Sequence, residues 1–239
     1  MKDSITMVER KDSIRNAYRH IGSNGFYDGM ITCSTFLGRV VSRLVWDMNA
    51  DDCAEYQTRA LSGIPERFSG RLLEVPVGTG ILTMPVYQTL PAAKITCVDY
   101  SPDMMAQAET KAKRLGLKNI VFKQGDVGNM PFEDCSFDVV VSLNGFHAFP
   151  DKEAAYKETF RVLKNGGIFC GCFYVKGLRK RTDCIIRSIY QPMKLFVPPY
   201  ETKDSLKNRL KSIYADVNIS NVKGIACFVC RKASTPEQN

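Results

Sequence analysis

The 239 residues, 44% apolar and 24% charged, can bury a core, and this composition excludes collagen-like, disulfide-scaffold and disordered classes. A formal charge of +8 leaves nucleic acid, an anionic membrane face or an acidic substrate open as partners of a basic surface, densest in KGLRKR at 176–181. No run of about 18 apolar residues occurs and the N-terminus, MKDSITMVERKDSIRNAYRH, has no apolar leader, so neither a membrane span nor a secretory signal is expected.

Residues 1–69 read as mainly helical, with an apolar and aromatic patch FYDGMITCSTFLGRVVSRLVW at 26–46. The expectation is an N-terminal helical cap, not an independent domain, lying over the ligand end of a domain that spans 70–232. From there short β-branched runs alternate with helical stretches. RLLEV (71–75) precedes a helix from Gly80 to Leu90, and KITCVD (94–99) precedes one opened by Ser101-Pro102 and closed by Gly116. NIVFKQ (119–124) is followed by a loop, FDVVVSL (137–143) by the helix DKEAAYKETFRVLK, and the turn Asn165-Gly166-Gly167 leads into GGIFCGCFYV (166–175) and a helix through Tyr190. After a helix near 202–214, ADVNIS and IACFVCRK are joined by SNVKG, short enough for an antiparallel hairpin, and residues 233–239 form a polar tail. The alternation predicts a doubly wound, Rossmann-like α/β fold: seven strands, mostly parallel, with helices on both faces and an antiparallel C-terminal hairpin.

Nine cysteines lie scattered at 33, 53, 97, 135, 170, 172, 184, 227 and 230, mostly inside strand-like apolar runs. Their odd number and lack of paired spacing argue for reduced core thiols and a cytoplasmic compartment. With only two histidines, His20 on a polar helix and His147 after the fourth strand, no metal set can be assembled.

Ligands of open α/β sheets sit beyond the carboxyl ends of the strands. There this chain places Glu74, Gly78 and Gly80 after the first strand, Asp99 after the second, Gly125 and Asp126 after the third, and Asn144, Gly145 and His147 after the fourth. Asp99 stands where an acid accepts both hydroxyls of a ribose. A dinucleotide fingerprint wants a third glycine at the position of Thr83, and Glu74 would repel a pyrophosphate while attracting a cation. These residues suggest a nucleoside with a positive end and argue against a nicotinamide cofactor.

LEVPVGTG, VDYSPDMM, QGDVGNMPFEDCSFDVV and RVLKNGG together resemble the motifs of class I S-adenosylmethionine-dependent methyltransferases across residues 70–175, departing at Pro76. The layout is similar to the type 11 small-molecule enzymes of ubiquinone and menaquinone biosynthesis, including Tyr27-Asp28 as the N-terminal element that closes over the donor. The resemblance implies transfer of a methyl group from S-adenosylmethionine, with S-adenosylhomocysteine as product. It implies a donor site of Tyr27, Glu74, Pro76, Val77, Gly78, Thr79, Gly80, Asp99, Tyr100, Ser101, Met104, Gly125, Asp126, Val127, Leu143, Asn144 and Phe146. Asp99 would hold the ribose, Tyr100 and Met104 flank the adenine, and Asp126 and Val127 bond its edge.

Where the quinone enzymes carry an Arg-Asn pair, this chain has His147-Ala148. His147, as base or acceptor-orienting group, and Tyr27 are the catalytic candidates. The segments that vary in such a fold contribute Phe26, Met30, Phe36, Trp46, Tyr190, Met193, Phe196 and Tyr200, a set suited to a flat or lipophilic small-molecule acceptor. Nucleic acid is disfavoured: no (N/D)PP(Y/F) signature follows the fourth strand, VPPY at 197–200 comes after the fifth, and no aromatic residue interrupts KGLRKR. The alternatives are a donor-binding domain without transferase activity and, less favoured by these residues, an RNA methyltransferase or a nicotinamide oxidoreductase.

Overall fold

The computed structural model describes the backbone of residues 2–22 and 25–234, with side chains for 7, 9–18 and 25–234. The His20 side chain and residues 235–239 of the polar tail lie outside this description. Seven strands form one sheet in the order β3-β2-β1-β4-β5-β7-β6. They are β1 Arg71–Glu74, β2 Lys94–Asp99, β3 Ile120–Gln124, β4 Phe137–Leu143, β5 Leu163–Tyr174, β6 Asp216–Val222 and β7 Ile225–Arg231. β1 to β5 pair in parallel, while β7 pairs antiparallel with both β5 and β6. The chain builds outward from β1 on one side through β2 and β3, then resumes on the other with β4. The crevice between the carboxyl ends of β1 and β4 is therefore the topological switch point.

Both sheet faces are buried, as continuous apolar runs require. Alternate residues divide between two clusters: Leu72, Val139, Val141, Cys170 and Cys172 on one face, Leu73, Val140, Phe169, Phe173 and Phe228 on the other. The helices are α1 Lys2–Gly22, α2 Phe26–Ile31, α3 Phe36–Val41 running into a π-turn over Ser42–Trp46, and α4 Ala50–Leu61, followed by α5 Met84–Tyr87, α6 Pro102–Arg114 and α7 Lys152–Val162. After β5 come α8 Lys180–Ile185, a second π-turn over Ile186–Tyr190, and α9 Lys203–Ile213. Among the described residues no helix is long and apolar enough to cross a membrane.

Several details differ from the sequence reading. The helix expected over Gly80–Leu90 is a single turn, Met84–Tyr87; Pro85, with no N–H to give the carbonyl four residues back, is tolerated only in a first turn and keeps the helix from starting earlier. Asn165-Gly166-Gly167 does not precede β5 but lies inside it. Phe137 faces Leu163 and Val139 faces Ile168, so the intervening residues bulge outward, with Gly166 at φ +73°. α4 packs on the sheet beside β5, β6 and β7, with Gly63 against Cys170 and Tyr56 O accepting from Cys227 Sγ. The covering role thus falls to α1, α2 and the first π-turn.

Seven cysteines are free thiols, five of them buried, whereas Cys33 and Cys53 form a disulfide across a Cα–Cα distance of 6.6 Å. The expectation of nine reduced thiols fails at this pair. The turn after α2, where Cys33 takes φ +53°, returns to the first turns of α4, a contact that a 20-residue separation does not announce.

At Gly171 in β5, a Cβ would stand 1.9 Å from Ser142 O of β4. Gly171→Ala must therefore push β5 away from β4, one of the two strands whose ends form the crevice. The expected cost is at least about 2 kcal/mol, read from urea unfolding; an unchanged midpoint would contradict this packing.

Candidate active site

Pro76 fits the turn after β1. Its neighbours carry the ladder, Val75 N donating to Val141 O at 2.9 Å and Val77 N to Val98 O at 2.9 Å, so its missing N–H costs no sheet bond. The Val75–Pro76 peptide is cis. The ring lies against the loop after β4, where a Cβ on Gly145 would come within 2.5 Å of Pro76 Cδ. Beyond it Gly78 and Gly80 adopt φ +55° and +67°. A Cβ at Gly78 would meet nothing within 4 Å, because that side of the turn faces open cavity.

Asp99, buried at the end of β2, holds this turn in place. Oδ2 accepts from Gly78 N at 2.7 Å and Oδ1 from Ser101 N at 2.8 Å. Burial pushes its pKa up to about 6, opposed by those amide donors. The Tyr100 backbone N–H donates to the carboxylate as well, which leaves room among its roughly four acceptor positions for one further donor. Ser101 Oγ also caps α6 by accepting from Met104 N.

Glu74 differs from the sequence reading. It is fully buried, accepts from Tyr87 Oη at 3.0 Å, and burial, only partly opposed by that bond, raises its pKa to about 8. The carboxylate expected to attract a cation is therefore mostly protonated at neutral pH, and a cation beside it would draw the proton off.

α1 and α2 close the cavity. Lys11 pairs with Asp126 and Tyr100 Oη donates to Asp12 at 3.2 Å. Thr79 Oγ1 donates to Asp28 Oδ1 at 2.5 Å, and Lys111 pairs with Asp28 at 2.9 Å. Every residue of the predicted donor set except Phe146 lines this one cavity. Phe146 is fully buried on the other side of the loop, with its ring 4.3 Å from that of Tyr156 and 5.5 Å from that of Phe173. Asn144 at φ +54° reverses the chain after β4 and sends this side chain into the core. Lys11, Ile14, Arg15 and Tyr18 line the cavity too and were missed. Their spacing of three and four, one face of α1, was the available signal.

His147 is not on that wall. It lines a second cavity of about 310 Å³, mostly apolar, with Met30, Trp46, Tyr190, Met193 and Phe196. Phe36 and Tyr200, expected in the same set, are not among its lining residues. The imidazole stacks on Phe196 with ring centres 4.0 Å apart, and its Nδ1 accepts from Tyr174 N at 3.4 Å. Burial, helped by the charge of Lys152, lowers its pKa to about 3, so it is neutral at physiological pH. With Nδ1 accepting, the ring proton sits on Nε2. Tyr18, Tyr27, Ile31 and Asn144 belong to both walls and form the boundary between the two cavities.

A methyltransferase-domain family matches residues 72–167. Demethylmenaquinone methyltransferase of Chlorobaculum tepidum is 30% identical over 187 residues, 78% of this chain and 68% of the relative. The chain belongs to the class I S-adenosylmethionine-dependent methyltransferases. The demethylmenaquinone methyltransferase of Thermus thermophilus is 36% identical over 112 residues, so the chain spans about half of that relative's length (47% of this chain, 50% of the relative). The crystal structure of the cyclase SpnF, 18% identical, covers 77% of this chain and 82% of its own with a TM-score of 0.63, which shows a shared fold. The methyltransferase family takes its methyl group from S-adenosylmethionine. The remaining acceptor position of Asp99 and the uncrowded face of Gly78 fit that donor.

The buried acids give the folded protein a distinctive pH dependence. The unfolded chain releases the Glu74 proton near its ordinary value of 4.5, whereas the folded one keeps it to about 8. The stability involved is fully present below pH 4.5 and lost as pH rises to 8, and Asp99 adds to the loss between its ordinary value of 3.8 and about 6. Glu74→Gln should flatten the upper part of the fall and unfold at higher temperature than wild type at pH 8. Parallel melting curves for the two proteins across the range would contradict this assignment.

Proposed function

We propose that this protein transfers the methyl group of S-adenosylmethionine to a small, apolar, ring-containing acceptor held in the second cavity. The observation that carries the reading is the boundary itself: Tyr18, Tyr27, Ile31 and Asn144 separate a cavity edged with acids from one that is mostly apolar. A donor and an acceptor seated on either side would meet there and nowhere else along the two walls. The quinone enzymes among the relatives favour an aromatic acceptor.

The donor supplies an already electrophilic methyl group. The chain's residues then have three tasks. Asp99 orients the ribose, with Asp126 and the Val127 backbone placed for the adenine edge. Exchange of Lys11 for the adenine amino group at Asp126 would keep that carboxylate paired. Tyr27, whose pKa burial pushes up, remains protonated and acts as a hydrogen-bond donor at the boundary. His147 is too weakly basic to deprotonate an ordinary hydroxyl, so its role is to orient the acceptor with its Nε2 proton. The acceptor therefore gives its proton to solvent and not to His147, before methyl transfer where it is an acidic phenol and after transfer where a ring carbon takes the methyl group. Proximity in a dry, aromatic cavity supplies the acceleration.

Calorimetric titration with S-adenosylmethionine and S-adenosylhomocysteine tests the donor half. Wild type should bind both, and Asp99→Ala should bind at least about tenfold more weakly, as loss of a charge-assisted hydrogen bond implies. Binding of NAD in place of the methyl donor would overturn the reading. For the acceptor half, label from the donor's methyl group should appear in a naphthohydroquinone. His147→Asn should lower kcat/KM for it while leaving donor affinity within about twofold, well under the 1.4 kcal/mol of a tenfold change. Equal transfer by wild type and variant would remove His147 from the acceptor's environment.

A further inference from the structure

The basic motif at 176–181 and a row of exposed apolar residues take no part in the site described so far. Along α3 and the π-turn that follows, Phe36, Leu37, Val40 and Leu44 are between 37% and 77% exposed. Val40 and Leu44 follow Phe36 at steps of four and Leu37 at steps of three and four, which puts the set on one side of the helix, while Val45 and Trp46 turn inward to the second cavity. Ile189 and Met193, each about half exposed, are also wall residues of that cavity and so mark its mouth.

The two elements form one packed unit. Thr182 Oγ1 donates to Val45 O at 2.7 Å, Arg181 Nη2 to Arg43 O at 2.7 Å, and the rings of Trp46 and Tyr190 lie 6.4 Å apart. Around them Arg39, Arg43, Arg179, Lys180, Arg181 and Arg187 are all exposed. The acids in the stretches 36–47 and 177–190 are Asp47 and Asp183 alone, and both are engaged. Asp47 pairs with Arg179 and Arg181, and Asp183 accepts from Tyr174 Oη at 2.7 Å and Gly177 N at 2.9 Å. Positive charge is therefore in excess around the apolar row.

Scattered exposed apolar residues need no explanation, but a contiguous row of four along one helix side, bordered by arginines, does. Nucleic acid would want aromatic faces to stack on, and three of the four residues are aliphatic. A second copy docked by two-fold symmetry on the same patch would set arginine rows against each other. An anionic lipid surface meets both features at once, with apolar side chains entering the acyl boundary and guanidinium groups at the headgroups.

We propose that α3, its π-turn and the rim at Ile189 and Met193 form a peripheral docking face for anionic phospholipid bilayers. Docked in this way, the second cavity opens toward the acyl layer, and a lipophilic acceptor enters it without crossing water. This rests on the reading of that cavity as the acceptor site.

Vesicle co-sedimentation of the full chain, with no methyl donor present, tests the docking face separately from catalysis. The comparison is between phosphatidylcholine vesicles and vesicles that also contain phosphatidylglycerol. Two double variants, Phe36→Ser with Leu37→Ser and Arg39→Glu with Arg43→Glu, change only exposed side chains; thermal melts and donor titration verify that each is folded. Wild type should bind the anionic vesicles at least about tenfold more tightly than the neutral ones, and each double variant should lose about tenfold or more. The proposal is overturned if wild type ignores both vesicles or if both double variants bind as wild type does. A dimer in sedimentation equilibrium that Phe36→Ser with Leu37→Ser dissolves would assign the face to a second copy, and RNA binding abolished by the arginine variant would assign it to nucleic acid. Failure of label transfer to a soluble acceptor, with vesicle binding intact, would count against the catalytic reading and not against the docking face.

Discussion

The geometry of the crevice depends on one buried carboxylate. Asp99 reaches from the end of β2 to the glycine turn of β1 through Gly78 N and to its own following turn through Ser101 N. Those bonds fix the ends of β2 and β1 relative to each other, beside the point between β1 and β4 where the sheet changes direction. Burial of the carboxylate opposes its charge, and the site therefore stays polar only because donors surround it. Pro76 completes the arrangement from the other side, its ring against Gly145 of the β4 loop. Three strands thus deliver their loops to one place by two backbone hydrogen bonds and one ring contact.

The cap acts through charge where the sheet acts through packing. Asp28 is shared by Thr79 and Lys111, Asp126 takes Lys11, and Asp12 takes Tyr100, so α1 and α2 are tied to the donor side by polar contacts. Around the second cavity the contacts are aromatic, with Trp46 meeting Tyr174, Tyr190 and Phe196 at ring distances of 6.0–6.4 Å. This division gives each cavity its own chemistry. It also explains how His147, one loop removed from the donor turn, finds itself neutral and stacked on a phenyl ring.

Much of this was legible in the chain. Parallel strands buried on both faces must be continuous apolar runs, so β1, β2, β4 and the Ser101 cap could be located from residue type alone, and the glycines and acids at the strand ends marked the crevice. What the sequence concealed were directions and distant contacts. Phe146 and His147 are neighbours in one loop that follows the left-handed turn at Asn144, yet one points to the core and the other to the second cavity. Local pattern does not encode that reversal. Nor does it encode the meeting of Cys33 with Cys53, or the raised pKa of Glu74, which follows from burial beside Tyr87. The contribution of α1 was within reach, since Lys11, Ile14 and Tyr18 share a helix face, but only once the helix was known to cross the crevice.

The central claim is that donor and acceptor occupy the two cavities and meet at Tyr18, Tyr27, Ile31 and Asn144. A crystal structure of the protein with S-adenosylhomocysteine and a naphthohydroquinone tests it most directly. The expected result places the homocysteine sulfur at that boundary, the ribose on Asp99, and the acceptor ring among Trp46, His147 and Phe196. An acceptor ring bound elsewhere, or a nucleoside lying in the second cavity, would contradict the account.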